Sequence, residues 1–222
     1  MKVLDLFCGA GGTTKGLQRA GFYVVGVDIC KQPNYCGDEF IQADALEVDL
    51  DGFDAYWASP PCQAYSFAAC RWRNSGKEYP DLIKVTRERL LETGKSFIIE
   101  NVVGAPIRKD LMLCGVMFGL NVIRHRHFEI EGFSVSEPLH PKHKPPIIIK
   151  TRNGNWTKRS QYCSVAGHGG HGCSFKNEDW KKAMKIDWMT KKELTQAVPP
   201  AYSEYIALEL LKEEGSWCSY HD

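Results

Sequence analysis

Short apolar runs alternate with turns and amphipathic segments through the N-terminal half of the chain. The runs predict strands at residues 3–7, 23–27, 40–43, 56–58 and 96–99, and the amphipathic segments predict helices at 13–20 and 80–92. The second helix is expected to begin at Pro80, because proline is tolerated at a first helical position. Strands that alternate with helices favour right-handed crossovers, so the pattern predicts an α/β fold with a parallel sheet.

Chemically capable residues follow these predicted strands. Gly9, Asp28, Asp44, Cys62 and Glu100 each lie just past the carboxyl end of one strand. In an open α/β sheet this edge is where ligands bind. We therefore expect these five residues to converge on one site, although they are far apart in the sequence.

The pattern changes after the fifth predicted strand. Residues 116–118 and 127–130 are predicted to pair as a hairpin-like extension of the sheet. Residues 131–180 are rich in Gly, Pro, His, Lys and Ser, which predicts a small irregular lobe or a long functional insertion. Helical periodicity returns after Pro199 and Pro200.

Charge and cysteine content narrow the function classes. The 222 residues carry 28 Lys and Arg against 27 Asp and Glu, a net charge of +1, so any nucleic-acid contact must be a local patch. No hydrophobic stretch is long enough for a signal peptide or a membrane span, and the nine cysteines are irregularly spaced. We expect a reducing, cytoplasmic location, where disulfides are rare.

The first strand runs into a glycine cluster that indicates a nucleotide-like cofactor. Gly9, Gly11 and Gly12 would let the backbone approach a ligand and would direct helix N–H groups at it. Asp28, at the end of the next strand, suits ribose hydroxyls. A tight turn without any ligand is the alternative.

Two further residues indicate catalysis, one as a nucleophile and the other as an acid. Pro60 and Pro61 hold the chain extended before Cys62, which suits a thiolate nucleophile, although a buried inert cysteine is the alternative. Apolar neighbours would raise the pKa of Glu100 and keep it protonated as a donor, unless it is a solvated strand end or a helix cap.

The segment around residue 125 is the fourth motif. Arg124 and Arg126 alternate on a predicted strand and should share a face, where two donor forks could hold a base carbonyl and a carboxylate or phosphate. An ordinary charged edge strand is the alternative.

Taken together, four blocks resemble the cytosine-5 DNA methyltransferases, especially compact, phage-type members. They are Asp-Leu-Phe-Cys-Gly-Ala-Gly-Gly at 5–12, Pro61-Cys62-Gln63, Glu100-Asn101-Val102 and Arg124-x-Arg126. The resemblance is good over residues 1–130 and weaker at 183–189 and 193–211. It implies a Rossmann-like S-adenosylmethionine-dependent sheet formed by 1–130 and 183–222, with residues 131–182 as a small target recognition lobe.

The resemblance also implies residue roles. Phe7, Gly9, Gly11, Gly12, Asp28, Asp44, Pro60 and Val198 would bind S-adenosylmethionine, with Asp28 on the ribose and Asp44 on the adenine amino group. Cys62 would attack C6 of a flipped-out cytosine, protonated Glu100 would hold N3, Arg126 would hold O2 and Arg124 would orient Glu100. No metal is implied.

Contacts to double-stranded DNA are implied for a further set of residues. These are Pro61, Gln63, Ser66, Asn101, Arg71, Arg73 and Lys77, several of them in a loop at 64–79 that resembles the family's mobile DNA-closing loop. A merely solvated loop is the alternative. We expect a monomer without an obligate protein partner, in a prokaryotic or phage-infected cell, with restriction-modification as one possible role.

Some features depart from the family pattern. Val122 replaces a glutamine, and Thr195-Gln196-Ala197-Val198 replaces Gly-Asn-Ser-Val, which puts the polar cofactor contacts there in doubt. Cys163, His168, His171 and Cys173 could ligate zinc, with His140 and His143 upstream. Their spacing fits none of the usual ligand pairs, so a glycine-rich DNA-contact loop is favoured.

Three other functions stay open at this point. An RNA (tRNA) cytosine-5 methyltransferase would share the catalytic blocks. A DNA-binding protein could keep the fold without catalysis, and a Rossmann-type oxidoreductase would bind NAD in place of S-adenosylmethionine.

Overall fold

Seven strands form one mixed sheet that carries the predicted site. The computed structural model describes residues 1–66, 74–163, 165 and 176–218. The strands are β1 Lys2–Leu6, β2 Tyr23–Asp28, β3 Glu39–Gln42, β4 Ala55–Ala58, β5 Phe97–Val102, β6 Leu111–Leu113 and β7 Arg126–Glu131. Their order is β3-β2-β1-β4-β5-β7-β6. The first five are mutually parallel, whereas β7 is antiparallel to both β5 and β6.

Helices cover the sheet. They are α1 Gly12–Arg19, α2 Ile83–Glu92, α3 Asn177–Met184, α4 Lys191–Gln196 and α5 Pro200–Cys218. None of the helices in the described part of the chain is both long and apolar enough to span a membrane. The parallel strands and the helices that cover them confirm the predicted α/β fold. All five parallel strands lie within a few residues of their predicted positions.

Alternating side chains divide the core into two layers. Val3, Trp57 and Ile98 pack on one face of the sheet, and Leu4, Tyr56 and Ile99 pack on the other. On the first face α1 packs closely against α5, because Gly16 has no side chain. A Cβ there would lie 2.1 Å from the Pro200 carbonyl oxygen.

Two sequence predictions are wrong in their elements. Residues 116–118 are not a strand but part of a 3-10 helix, Gly115–Phe118, that ends at Gly119 with φ 66°. An apolar run of three residues does not distinguish strand from helix. Besides β5, β7 pairs with β6 and not with residues 116–118. Helix α2 begins at Ile83 rather than at Pro80. The Asp81 carboxylate accepts from the Ile83 N–H at 3.1 Å at this first turn.

The predicted recognition lobe is partly integrated into the core. It contains a two-stranded hairpin, β8 Ile147–Lys150 with β9 Trp156–Arg159. Cys163 and Val165, however, are buried in the same apolar cluster as Val122 and Phe128 of the sheet region. The predicted boundary at residue 182 also falls inside helix α3, whose Trp180, Ala183 and Met184 are buried.

Candidate active site

The turn after β1 has the backbone geometry of a ligand loop. Phe7, Gly9 and Gly11 all adopt positive φ, at 60°, 51° and 83°. Positive φ is uncommon for a side chain as large as phenylalanine, and such strained residues cluster at functional sites. Helix α1 then begins at Gly12 with its first N–H groups facing this turn.

Asp28 bridges the two loops at this edge of the sheet. Its Oδ2 accepts from the Gly9 N–H at 3.1 Å and its Oδ1 accepts from the Cys30 N–H at 2.9 Å. The carboxylate is only partly buried, and each oxygen keeps a lone pair for another donor. Asp28 is thus held in place to accept hydroxyl groups of a ligand.

Other predicted cofactor residues have structural contacts of their own. A Cβ on Gly12 would lie 2.4 Å from the Val198 carbonyl oxygen, so these two residues pack against each other. Asp44 accepts from the Leu46 N–H at 2.8 Å within its turn. Pro60 is buried at the end of β4.

Sequence reasoning missed Asp5, which lies buried in β1 beside the glycine turn. Its Oδ2 accepts a 2.6 Å hydrogen bond from the Thr14 hydroxyl, and its Oδ1 has no partner among the described residues. Burial raises the pKa of Asp5 to about 7; the Thr14 bond opposes the rise, and the charges of Asp28 and Glu100 add to it. An acidic residue inside an apolar strand was the signal that could have identified it.

We expect this carboxyl to make stability depend on pH. Because its pKa is raised in the folded state, the contribution is complete below the unfolded-state pKa and is lost as the pH rises toward about 7. Ionisation of Asp5 alone should lower the free energy of unfolding by up to about 1.4 kcal/mol per pH unit in this window. Asp5→Asn should flatten that slope in urea unfolding at several pH values. A variant with the wild-type slope would contradict this assignment.

Cys62 occupies a turn just beyond β4. Its carbonyl oxygen accepts from the N–H groups of Tyr65 and Ser66, at 3.0 and 2.8 Å, which holds the turn closed. Burial raises the pKa of the Cys62 thiol, while the positive charges of Arg126 and Arg124 lower it. The positive charges of these arginines therefore favour the thiolate form of Cys62, whereas burial of the thiol opposes it.

Glu100 lies within β5, not after it, and faces Arg126 across the strand pair. Residue 100 pairs with Phe128 and residue 126 with Val102, so the two side chains are diagonal neighbours on one face. Arg126 Nε lies 2.7 Å from Glu100 Oε1. Burial raises the pKa of Glu100, an effect that exceeds the opposing influence of the two arginines and Ser59.

Arg124, which was expected to orient Glu100, hydrogen-bonds to backbone carbonyls instead. Its guanidinium donates to the carbonyl oxygens of Val165 and Thr195, at 3.0 and 2.8 Å, and Arg126 is the arginine that contacts Glu100. The reason is that β7 begins only at Arg126, so the two arginines do not share a strand face. Arg124 instead ties the segment before β7 to the region before α5.

Asn101 positions the nucleophile turn. The side chain is buried, donates to the Pro60 carbonyl oxygen at 3.0 Å and accepts from the Val102 N–H at 2.9 Å. This arrangement leaves it little surface for the substrate contact that the resemblance implied. Its bond to Pro60 fixes the backbone two residues before Cys62.

We expect Asn101→Ala to be a positioning variant. Loss of the buried bonds should destabilise the fold by roughly 1–3 kcal/mol, because the Pro60 carbonyl loses its partner. Turnover should fall more than cofactor affinity. Chemical unfolding and calorimetry with cofactor test this, and unchanged turnover in a folded variant would count against a positioning role.

Some of the remaining residues predicted to contact DNA lie at the Cys62 turn, and others lie outside the described part of the chain. Pro61, Gln63 and Ser66 are half-buried around the Cys62 turn, and Lys77 is exposed, with Nζ 5.2 Å from the Tyr79 ring centroid. Arg71 and Arg73 lie outside the described residues, as do His168, His171 and Cys173 of the zinc alternative. Cys163 of that alternative is buried, with its N–H donating to the Asn121 carbonyl oxygen at 2.8 Å.

Solved structures with the same overall fold are methyltransferases. The chain aligns with a prophage-encoded DNA modification methyltransferase from E. coli at TM-score 0.65 and 16% identity, covering 97% of this chain and 99% of that one. It aligns with S. pombe Dnmt2 methyltransferase at TM-score 0.61 and 15% identity, covering 96% and 99%. These similarities confirm the expected Rossmann-like methyltransferase fold.

Sequence comparisons reach the family level. The chain is 30% identical over 125 residues to type II methyltransferase M1.HphI of Haemophilus parahaemolyticus, which is 45% of this chain and 32% of that protein. It is 29% identical over 127 residues to M.AgeI of Thalassovita gelatinovora, which is 47% and 28%. The match thus spans about a third of the length of these relatives.

The family model for C-5 cytosine-specific DNA methylase matches residues 1–110. Residues 1–110, which contain Cys62 and Glu100, therefore carry a C-5 cytosine-specific DNA methylase domain.

Proposed function

We propose that this chain transfers a methyl group from S-adenosylmethionine to C5 of cytosine in double-stranded DNA. The observation that carries the proposal is the electrostatic grouping of Cys62, Glu100 and Arg126 at the carboxyl edge of the sheet, beside the glycine turn. The match of residues 1–110 to the family model for C-5 cytosine-specific DNA methylase supports it. In this proposal the chain acts as a monomer, and residues 131–182 contribute target recognition.

The residues around the glycine turn fit S-adenosylmethionine. Gly9, at positive φ and with open space where a side chain would lie, brings bare backbone to the edge. The partly exposed Asp28 carboxylate has lone pairs for ribose hydroxyls. Phe7 would contribute an apolar surface and Asp44 an acceptor for the adenine amino group. When bound, the cofactor supplies a methyl group activated on a sulfonium.

Cys62 would supply the nucleophile. Its sulfur forms a bond to cytosine C6, and the electron pair of the C5–C6 double bond moves toward C5 and N3. The proton on Glu100 stabilises the negative charge that develops at N3. C5 is then nucleophilic and would take the methyl group as its bond to the sulfonium breaks, which leaves a neutral thioether. Loss of the C5 proton to a base returns electrons to the ring and expels the Cys62 thiolate.

The buried Glu100 is suited to its role by the local balance of charge. Burial favours the protonated acid, as a donor to N3 requires, while Arg126 keeps its carboxyl oriented on the strand face. A cytosine entering the site would share the Arg126 guanidinium, which can donate to O2 as well as to Glu100. The five donors of arginine make such sharing possible.

Reaching C6 requires that the base leaves the stack. Enzymes that act on a base in duplex DNA extrude it into the active site. Because the net charge is only +1, phosphate contacts must be local, and Lys77 with Arg71 and Arg73 in the segment after Cys62 supplies such a set. Gln63 and Ser66 lie on the same turn as the nucleophile.

Methyl transfer assays distinguish this function from its alternatives. With radiolabelled S-adenosylmethionine, we expect label in duplex DNA, recovered as 5-methylcytosine after digestion. Label in tRNA alone would establish the RNA activity, and DNA binding without transfer would establish a non-catalytic module. Calorimetric binding of NAD but not of S-adenosylmethionine would establish an oxidoreductase. Each of those three results would contradict the proposal.

A further inference from the structure

Four metal-ligating side chains meet at the edge of the sheet, outside the site described above. Cys114 directly follows β6, His125 directly precedes β7, and His140 and His143 belong to the segment after β7. One ligand atom from each residue lies within 4.8 Å of those of the other three. Cys114 is fully buried, and the three histidines are partly buried.

Two of the separations between ligand atoms match those around a tetrahedral zinc ion. Cys114 Sγ lies 3.6 Å from His143 Nε2, and His125 Nε2 lies 3.3 Å from His140 Nε2. Zinc bonds of about 2.0–2.1 Å to nitrogen and about 2.3 Å to sulfur, at tetrahedral angles, place two nitrogens roughly 3.4 Å apart and nitrogen and sulfur roughly 3.6 Å apart. Both observed distances agree with that geometry.

The three imidazole rings are close neighbours of one another but do not share one stacking geometry. Their centroids lie 4.9–5.4 Å apart pairwise, with interplanar angles from 17° to 56°. Among the described residues, these side chains contact one another in two separate pairs, Cys114 with His143 and His125 with His140. The two pairs do not form one hydrogen-bond network. A single cation at the centre would satisfy all four groups at once.

We propose that Cys114, His125, His140 and His143 bind one zinc ion. One thiolate and three imidazoles form a borderline-soft donor set, which suits zinc and disfavours magnesium or calcium. Four protein ligands leave no open position, so the site is structural rather than catalytic. The sequence expectation of no metal, and the alternative set Cys163, His168, His171 and Cys173, both differ from this assignment.

The ion would brace the strand that carries the substrate arginine. His125 stands between Arg124 and Arg126, so its ligation would fix the start of β7, where Arg126 pairs with Glu100. The His140–His143 segment continues to Lys144, whose N–H donates to the Tyr162 hydroxyl at 3.0 Å. Zinc would therefore join the sheet edge to the proposed recognition lobe.

Metal analysis tests this inference independently of catalysis. We expect untagged protein, purified without chelator, to contain one zinc per chain by plasma mass spectrometry. Cys114→Ser and the double variant His140→Ala/His143→Ala should lose it, since loss of even an outer-shell partner costs roughly 10- to 100-fold in metal affinity. Lys142→Ala, an exposed position between the two histidines, and Cys30→Ser, an exposed thiol, are the matched controls and should retain it.

Two further measurements exclude a folding artefact. Cobalt-reconstituted wild type should show tetrahedral d–d bands and a sulfur-to-cobalt charge-transfer band, and the latter should be absent in Cys114→Ser. Circular dichroism should show a folded double variant whose melting temperature no longer responds to chelator. The proposal would be overturned by wild type that holds no zinc and takes none up on titration. It would equally be overturned by zinc retained in both ligand variants.

Discussion

Cys62→Ser should abolish methyl transfer while S-adenosylmethionine binding is unchanged. A serine hydroxyl is far less acidic than a thiol, and the site that opposes thiolate formation by burial opposes an alkoxide more strongly. We expect the single-turnover rate on duplex DNA to fall by roughly four orders of magnitude or more, as when other covalent enzymes lose their nucleophile. Calorimetry should give a cofactor Kd equal to that of wild type, because the glycine turn and Asp28 are untouched.

Cys30→Ser is the control for this substitution. Cys30 is an exposed free thiol, and its loss should leave the methylation rate at the wild-type level. Substantial turnover by Cys62→Ser would eliminate the covalent mechanism. Loss of cofactor binding in that variant would show instead that Cys62 supports the cofactor site.

Glu100→Gln should slow the reaction and also change its pH dependence. Gln keeps a neutral donor near N3 but cannot transfer a proton, and it replaces the carboxyl oxygen that lies 2.7 Å from Arg126 Nε. We expect kcat to fall by roughly 10²-fold or more, in the range of general acid-base contributions. In wild type, the rate should decline as the pH rises through the raised pKa of Glu100, because ionisation removes the proton. The Gln variant should lack that decline.

A second buried acid provides the matched control. Glu129 lies on the neighbouring strand but on the opposite face, where Arg87 contacts both of its carboxylate oxygens at 2.6 and 2.7 Å. Glu129→Gln should reduce stability while the pH dependence of the rate keeps the wild-type shape. A Glu100 variant with the wild-type profile, or one that mainly loses cofactor affinity, would show that Glu100 is misassigned.

The sequence predicted the sheet well because four of its five parallel strands are largely buried and appear as continuous apolar runs. Such runs located β1, β2, β4 and β5, whereas the exposed edge strand β3 was found from the two apolar residues Phe40 and Ile41. Asp28 ends β2, Cys62 follows β4 and Glu100 lies inside β5. The 3-10 helix Gly115–Phe118 was missed because three apolar residues have no distinguishable period.

Long-range pairing accounts for what the sequence could not predict. Arg126 rather than Arg124 contacts Glu100 because the start of β7 depends on its pairing with β5 and β6, which local spacing does not encode. The zinc ligands have the spacing Cys-x10-His-x14-His-x2-His, with no compact motif. They meet only after β6, β7 and the following segment have assembled.

The most direct test of the mechanism is covalent trapping with duplex DNA that contains 5-fluorocytosine. Fluorine at C5 cannot leave as a proton does, so the enzyme should remain bonded to C6 after methyl transfer. We expect a denaturation-resistant protein–DNA complex that forms only with S-adenosylmethionine, whose peptide map places the modification on Cys62. No adduct from protein that methylates ordinary duplex DNA, or an adduct on another residue, would contradict the account.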